Sequence, residues 1–200
     1  MTAREEILAA VRGALREADR TEAVVPRGYR SAVADVADVA DVVALFAERV
    51  VDYRAALTRC TAAELPDALR AALGPARNVL VPDGFPVAVD GSPPPATTAG
   101  PAGFDAVVTT AALGIATTGT IVLDHGPGQG RRALSLVPDV HVCVLRAEQI
   151  VPGVPEAVAA LDPARPQTWI SGPSATSDIE LTRVEGVHGP RTLHVIVVIE

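Results

Sequence analysis

One run of 18 residues without a charged side chain, Ala106 to Leu123 (AVVTTAALGIATTGTIVL), constrains the fold more than any other stretch of the chain. Its length is close to that of a membrane-spanning helix, and the mean hydropathy of the whole chain is positive, at +0.29. The run nevertheless holds five threonines and two glycines, and its β-branched residues cluster at the two ends. This pattern favours buried strands over a spanning helix. We therefore predict that the run forms part of a sheet.

Helical and strand patterns alternate along the rest of the chain. We predict a helix that begins within residues 33–43, a strand near Ala56 to Cys60, a helix over Thr61 to Leu73 and a strand at Asn78 to Val81. Further strands are predicted at Val107 to Thr110, Thr120 to Leu123, Val140 to Leu145, Thr168 to Ile170 and Leu193 to Ile199. The near-continuous apolar runs among them are typical of strands buried on both faces. The alternation predicts an α/β layer with parallel strands.

A separate amphipathic helix is predicted at the amino terminus. Thr2 and Glu5 form a capping-box pattern, and four apolar residues follow at helical spacing: Ile7, Leu8, Val11 and Leu15. The residues after this helix include a proline and a glycine and show no period, which indicates a linker. We therefore divide the chain into an N-terminal helix and linker, residues 1–30, and an α/β domain, residues 31–200.

The charge balance bears on partners and location. The chain carries 24 acidic and 17 basic side chains, all the basic ones are arginine, and aromatic residues make up 3%. A nucleic-acid-binding surface needs a basic face with interleaved aromatic residues, so we predict no nucleic-acid partner. The amino-terminal segment is charged throughout and lacks the apolar core of a signal peptide. We expect a cytoplasmic protein that does not insert into a membrane.

The two cysteines, Cys60 and Cys143, lie far apart and form no C-x-x-C pattern, so we predict free thiols. An iron-sulfur cluster takes about four thiolate ligands, so this chain cannot ligate one alone. We expect no cofactor in this chain, and any redox centre would belong to a partner. His141 and Cys143 have the spacing of two metal ligands on one strand face, but no third ligand lies nearby and no metal site is predicted.

The loop DHGPGQGRR, residues 124–132, has two interpretations. Its glycines permit positive φ angles and close backbone approach, so the amides of Gly126, Gly128 and Gly130 could cradle an anion, with a donor fork added by Arg131 or Arg132. Alternatively, the loop is a hairpin turn whose arginines face solvent. Neither a P-loop nor a dinucleotide-binding fingerprint is present.

A second candidate lies in SGPSATSDIE, Ser171 to Glu180, which follows a predicted strand and ends on a capping-box pattern. A strand, a loop of small residues and a helix start together form an anion site at the end of a sheet. The candidate ligand-binding residues here are Ser171, Gly172, Ser174, Asp178 and Glu180. Ordinary helix capping is the alternative.

His188 is a further ligand-binding candidate, because it lies in the segment GVHGP, close to two glycines and a proline. It could carry a proton or donate a hydrogen bond to a carboxylate, and a structural histidine is the alternative. No G-x-S-x-G nucleophile signature occurs, so we assign no catalytic residue.

Two long blocks resemble a known family. Residues 114–151 (GIATTGTIVLDHGPGQGRRALSLVPDVHVCVLRAEQIV) and 171–198 (SGPSATSDIELTRVEGVHGPRTLHVIVV) are similar to the LUD-domain proteins of the lactate utilization protein C type. The resemblance implies a three-layer, Rossmann-like α/β fold of the NagB/RpiA/CoA-transferase-like group with an added antiparallel part. It also implies a role in oxidising L-lactate to pyruvate alongside iron-sulfur partner proteins. Many members of the family carry a glutamate where this chain has Thr117, so no catalytic base is assigned there.

Three functions stay open from the sequence, because family membership does not determine chemistry. The first is a component of an L-lactate-oxidising system that binds a small anionic ligand and acts with iron-sulfur partners, itself catalytic or not. The second is a stand-alone enzyme that acts on a phosphorylated or CoA-like small molecule. The third is a regulatory or scaffold domain.

Overall fold

The computed structural model of the chain describes residues 2–16, 18, 24–29, 32, 38–89, 103–176, 184–186 and 189–199. The helices of these residues are α1 (Ala3–Ala14), α2 (Val39–Asp52), α3 (Leu65–Leu73) and α4 (Val154–Ala160). The strands are β1 (Ala56–Thr61), β2 (Val79–Leu80), β3 (Ala106–Thr110), β4 (Leu113–Ile115), β5 (Thr120–Leu123), β6 (Val140–Arg146), β7 (Ile150–Val151), β8 (Thr168–Ile170), β9 (Ala175–Thr176), β10 (Val184–Glu185) and β11 (Thr192–Ile199). Among the described residues, no helix combines the length and the apolar character that a bilayer crossing requires.

Five parallel strands form the central sheet, in the order β1-β11-β6-β3-β2. The middle strand β6 sends alternate side chains to two apolar clusters: Val142 and Val144 to one face, and Cys143 and Leu145 to the other. Both faces are therefore buried, as the continuous apolar runs of the sequence predict. The predicted parallel α/β layer is confirmed.

A second sheet of four strands, in the order β7-β4-β5-β8, lies beside the first. The antiparallel strands β4 and β5 are joined through a 3-10 turn, Ala116–Thr118, which is followed by Gly119 at φ +58°. A Cβ on Gly119 would lie 2.6 Å from the carbonyl carbon of Arg49 in α2, so this close approach requires glycine. The uncharged run 106–123 is sheet, as predicted, but it is shared between the two sheets.

Helices and the second sheet cover the central sheet on both faces. Leu65, Leu69 and Leu73 of α3 pack on one face. On the other face, Val43, Phe46 and Val50 of α2 share a cluster with strand residues of both sheets. Helix α4 covers the outer side of the second sheet, where its Ala157 joins Leu113, Ile115 and Val122. The result is a layered α/β fold with a mostly parallel central sheet.

Helix α3 begins four residues later than predicted. We expected it to start at Thr61, but Thr61 ends β1, and its backbone amide and hydroxyl both donate to a carboxylate oxygen of Glu64, each at 2.9 Å. These bonds hold residues 61–64 in a turn, and the helix starts at Leu65. Pro66 lies in the first turn and Gly74 caps the end, as predicted.

Helix α1 has the predicted capping box, because the Thr2 amide donates to Oε2 of Glu5 at 2.7 Å and the Glu5 amide donates to Oγ1 of Thr2. Its apolar face is nevertheless exposed. Ile7 is 65% exposed and Val11 48%, and no residue of α1 is buried by the described part of the chain.

Candidate ligand-binding cleft

The glycine-rich loop connects β5 of the second sheet to β6 of the central sheet, so it is not a hairpin turn. It packs against the carboxyl end of β3, where the Thr110 amide donates to the Gly128 carbonyl at 2.8 Å and the Thr110 hydroxyl donates to the Pro127 carbonyl. On its other side, the Gly128 amide donates to the Asp83 carbonyl at 2.7 Å. The Gly128 amide is therefore already hydrogen-bonded within the protein.

Gly128 and Gly130 have the positive φ angles that the sequence suggested, at +74° and +67°, whereas Gly126 does not. Neighbouring atoms lie too close to Gly128 and to Gly130 to leave room for a Cβ. A Cβ on Gly128 would lie 2.9 Å from the Thr110 hydroxyl, and one on Gly130 would lie 2.8 Å from a methyl carbon of Leu134. Both glycines shape the loop, and neither lines the cleft described below.

His125 was not singled out in the sequence, although it lies in the same loop. Its backbone has a φ of +60°, a strained value for a residue with a side chain. Its Nδ1 lies 2.8 Å from the Gly130 carbonyl, which only accepts, so Nδ1 carries the proton. Nε2 then faces Oγ1 of Thr168 at 3.4 Å. The ring ties the loop to β8.

A cavity of about 270 Å³, which we name cleft A, lies where β8 ends beside the amino ends of β6 and β11. Its lining includes three of the predicted ligand-binding residues: Ser171, Gly172 and Ser174. The loop that begins at Ser171 follows a strand at the end of a sheet, as predicted, but that strand is β8 of the second sheet. Cleft A therefore lies away from the carboxyl ends of the parallel strands, where α/β proteins commonly bind ligands.

Arg132, not Arg131, lines cleft A. It begins the 3-10 turn Arg132–Ser135, whereas Arg131 precedes that turn. Among the described lining residues, the Arg132 guanidinium is the only charged group, and no carboxylate is present. The described part of cleft A thus carries a net positive charge in a protein whose total charge is −7.

The cleft also presents hydroxyl groups held by short hydrogen bonds. Oγ of Ser171 lies 2.8 Å from Oγ1 of Thr120, which in turn lies 2.7 Å from Oγ1 of Thr118. Ser174 is held through its backbone, because its amide donates to the Pro190 carbonyl and its carbonyl accepts from the Gly186 amide, each at 2.9 Å. The serines are therefore fixed by the second sheet and by the segment before β11.

Close packing against α2 requires a glycine at position 172. Its φ is +81°, and a Cβ there would lie 2.6 Å from the carbonyl oxygen of Tyr53. The residue lets the loop cross the end of α2 while its backbone lines the cleft.

His141 also lines cleft A and is 1% exposed. Its Nε2 lies 2.8 Å from Oγ1 of Thr109, and burial lowers the pKa of the imidazole to about 4, so the ring is neutral near pH 7. Burial also raises the pKa of the Cys143 thiol to about 12. Among the described residues, no group of three or more His, Cys, Asp or Glu side chains is placed to hold a metal ion.

The other sequence candidates are placed as follows. Asp178, Glu180 and His188 lie outside the described residues. Gly189 and Pro190, next to His188 in the chain, line cleft A. Thr117 lies in the turn that packs against α2 and does not line cleft A.

A family model for the LUD domain matches residues 102–198. Lactate utilization protein C of Deinococcus radiodurans is 55% identical over 164 residues, which covers 76% of this chain and 77% of that protein. Lactate utilization protein C of a Geobacillus species is 33% identical over 99 residues, which covers 46% of this chain and 41% of the relative.

The fold has a solved counterpart. The crystal structure of a DUF162 family protein from Deinococcus radiodurans superposes with a TM-score of 0.67 at 46% sequence identity. The match covers 81% of this chain and 99% of the solved chain.

Proposed function

This chain belongs to the LUD-domain family, and from that membership we propose that it takes part in lactate utilization. The relatives named lactate utilization protein C support this role. The finer proposal is that cleft A binds a small carboxylate of the lactate or pyruvate type, and that the protein works in the cytoplasm with iron-sulfur partner proteins.

The observation that carries the ligand assignment is the charge of cleft A. Its described lining has one guanidinium, no carboxylate, and the hydroxyl groups of Ser171 and Ser174, while the hydroxyls of Ser135 and Thr168 donate to the Arg132 carbonyl and to Nε2 of His125. A guanidinium and hydroxyl donors together match a carboxylate that bears a neighbouring hydroxyl or carbonyl oxygen. The cavity is small, which suits a compact acid. Asp178, Glu180 and His188 lie outside the described residues and stay predictions from the sequence.

The proposal of electron-accepting partners rests on the thiols. Oxidation of a hydroxyl to a carbonyl releases two electrons, and the chain has only two cysteines against about four thiolates for a cluster. Cys60 and Cys143 are buried and belong to clusters on opposite faces of the central sheet. In this proposal the electrons pass to iron-sulfur partners, because these two thiols do not form a cluster.

The first experiment is a titration with L-lactate and with pyruvate, monitored by tryptophan fluorescence. Trp169 is the only tryptophan of the chain, lies at cleft A and is 40% exposed, so its emission reports on an occupant of the cleft. We expect saturable changes with one or both acids. We expect Arg132→Gln to weaken binding by about tenfold or more, because a charge-assisted hydrogen bond is lost.

Arg131→Gln is the matched control, since it removes the same charge one residue away and outside the cleft. Its affinity should stay within about twofold of the unaltered protein's, a change of under ~0.5 kcal/mol. Binding that depends on Arg131 and not on Arg132 would refute the assignment to cleft A and favour the glycine loop. A flat titration with both acids would refute the ligand proposal and leave family membership intact.

The partner proposal has a separate test. Purified chain alone should not oxidise L-lactate with an artificial electron acceptor, and addition of the iron-sulfur proteins of a lactate-utilization system should start turnover. Turnover by the chain alone would contradict the proposal and favour a stand-alone enzyme.

A further inference from the structure

Cleft A has more room than lactate or pyruvate fills. Its volume is about 270 Å³. Lactate and pyruvate each have six non-hydrogen atoms, as benzene does, and an engineered protein cavity of about 150 Å³ takes up one benzene molecule. By that comparison, cleft A has room for roughly eleven non-hydrogen atoms. An acid with a side chain larger than methyl would use the remaining space.

The polar groups of the cleft match the part that lactate shares with longer acids of the same type. The Arg132 guanidinium and the hydroxyls of Ser171 and Ser174 are suited to one carboxylate and the oxygen beside it. Both of these groups are present in every 2-hydroxy acid and every 2-oxo acid. The polar lining therefore does not distinguish lactate from its longer relatives, and the rest of the lining decides between them.

Most of the other lining residues are apolar, and they include Leu136, Ile170, Pro173, Pro190 and Leu193. Leu193 is buried and Leu136 is half-buried. A methyl carbon of Leu136 lies 3.7 Å from the position that a Cβ on Gly189 would take, so this side chain lies against another lining residue of the cleft. We call these five residues the apolar wall of cleft A.

The described lining offers no second charged partner to a ligand. Arg132 carries its one charge, and the buried His141 is neutral near pH 7 because its pKa is about 4. A ligand side chain with its own charge would lose its hydration beside the apolar wall without gaining an ion pair. An alkyl side chain would instead gain free energy, because it and the wall would be removed from water together.

We propose that cleft A prefers 2-hydroxy acids, or the corresponding 2-oxo acids, that carry a branched alkyl side chain of about four carbons in place of the methyl group of lactate. The inference rests on the proposed function, because it keeps the ligand carboxylate at Arg132. It adds a side chain against the apolar wall. The volume of the cleft and the chemistry of its lining carry it.

The test compares three acids by isothermal titration calorimetry with the whole chain: L-lactate, L-2-hydroxyisocaproate and L-malate. The last two have the same number of non-hydrogen atoms, but malate has a second carboxylate where 2-hydroxyisocaproate has an isopropyl group. Each buried methylene strengthens binding by about fourfold, so we expect 2-hydroxyisocaproate to bind at least about tenfold more tightly than lactate. Malate should bind no more tightly than lactate.

Leu136→Ala removes part of the apolar wall and leaves the polar groups in place. We expect it to reduce the preference for 2-hydroxyisocaproate over lactate by about fivefold or more, while the affinity for lactate stays within about twofold. Val137→Ala is the matched control, because Val137 is the next residue, is 52% exposed and does not line the cleft. It should leave the affinities for both acids unchanged.

The outcomes separate this inference from the proposed function. If lactate binds and 2-hydroxyisocaproate binds no more tightly, the preference is refuted and the carboxylate site stands. Tighter binding of malate than of 2-hydroxyisocaproate would likewise refute the preference. If none of the three acids binds, the carboxylate site itself is refuted. An unchanged preference in Leu136→Ala, at an unchanged melting temperature, would overturn the role of the apolar wall, and the comparison of acids with the unaltered chain does not depend on that variant.

Discussion

His141 is a residue whose pKa changes strongly when the chain folds. In the unfolded chain its imidazole has an ordinary pKa of about 6.5. In the folded protein it is buried beside Thr109, and desolvation of the charged form lowers the pKa to about 4. The sequence placed this histidine on a strand but could not show its burial, because burial depends on which segments cover that strand.

This shift predicts an acid-dependent loss of stability. Between pH 6.5 and 4 the unfolded chain binds a proton that folded His141 does not, so the free energy of unfolding falls as the pH falls. The free energy of unfolding has fallen by about 3 kcal/mol once the pH reaches the pKa that His141 has in the folded protein. Above pH 6.5 it has no effect, since the ring is neutral in both states.

Urea denaturation at a series of pH values checks the prediction. His194 also has a pKa lowered by burial, so the unaltered protein must be compared with His141→Gln. The free energy of unfolding of the variant should fall less steeply between pH 6.5 and 4 than that of the unaltered protein. If the free energy of unfolding falls equally for both proteins, His141 is protonated in the folded protein without a cost in stability.

At the scale of elements, α2 holds the two sheets together. The sequence predicted its apolar stripe, and the structure buries Val42, Val43 and Phe46 of that stripe while Val39 stays 63% exposed. Phe46 is fully buried, and a Cβ on Gly114 of β4 would lie 3.1 Å from its ring. The strands β4 and β7 and the helix α4 escaped prediction because segments this short show no period.

Phe46→Ala should therefore destabilise the protein by about 3–5 kcal/mol, the cost of truncating a buried aromatic side chain between two sheets. Val39→Ala, an exposed position on the same helix, should change the free energy of unfolding by no more than about 0.5 kcal/mol. Chemical denaturation of both variants measures the difference. A small effect of Phe46→Ala would show that the two sheets do not depend on α2 for their packing.

At the scale of the whole molecule, the two cysteines report on opposite faces of the central sheet. Cys60 lies among residues packed by α3, and Cys143 among residues packed by α2 and the second sheet. Both are free and buried, and burial raises the pKa of each thiol, for Cys60 together with the nearby Glu64 carboxylate.

We expect neither thiol to react with a maleimide in the native protein, because the reactive thiolate is scarce and covered. In low concentrations of urea, both should react at one common rate if the two faces unfold together. Mass spectrometry of labelled peptides separates the two sites. Faster labelling of Cys60 would show that α3 opens independently of the rest of the domain.

The α/β class, the strands of the central sheet and the capped amino-terminal helix could be predicted from the sequence, because they follow from local periodicity and from side chains a few residues apart. The sequence also located the serine loop that lines cleft A. Long-range packing, which the sequence does not show, places β5 and β6 in different sheets and makes Arg132 rather than Arg131 line cleft A. Neighbouring arginines look alike in a sequence. Which one faces a cleft depends on the path of the backbone between two sheets, and that path is set by long-range packing.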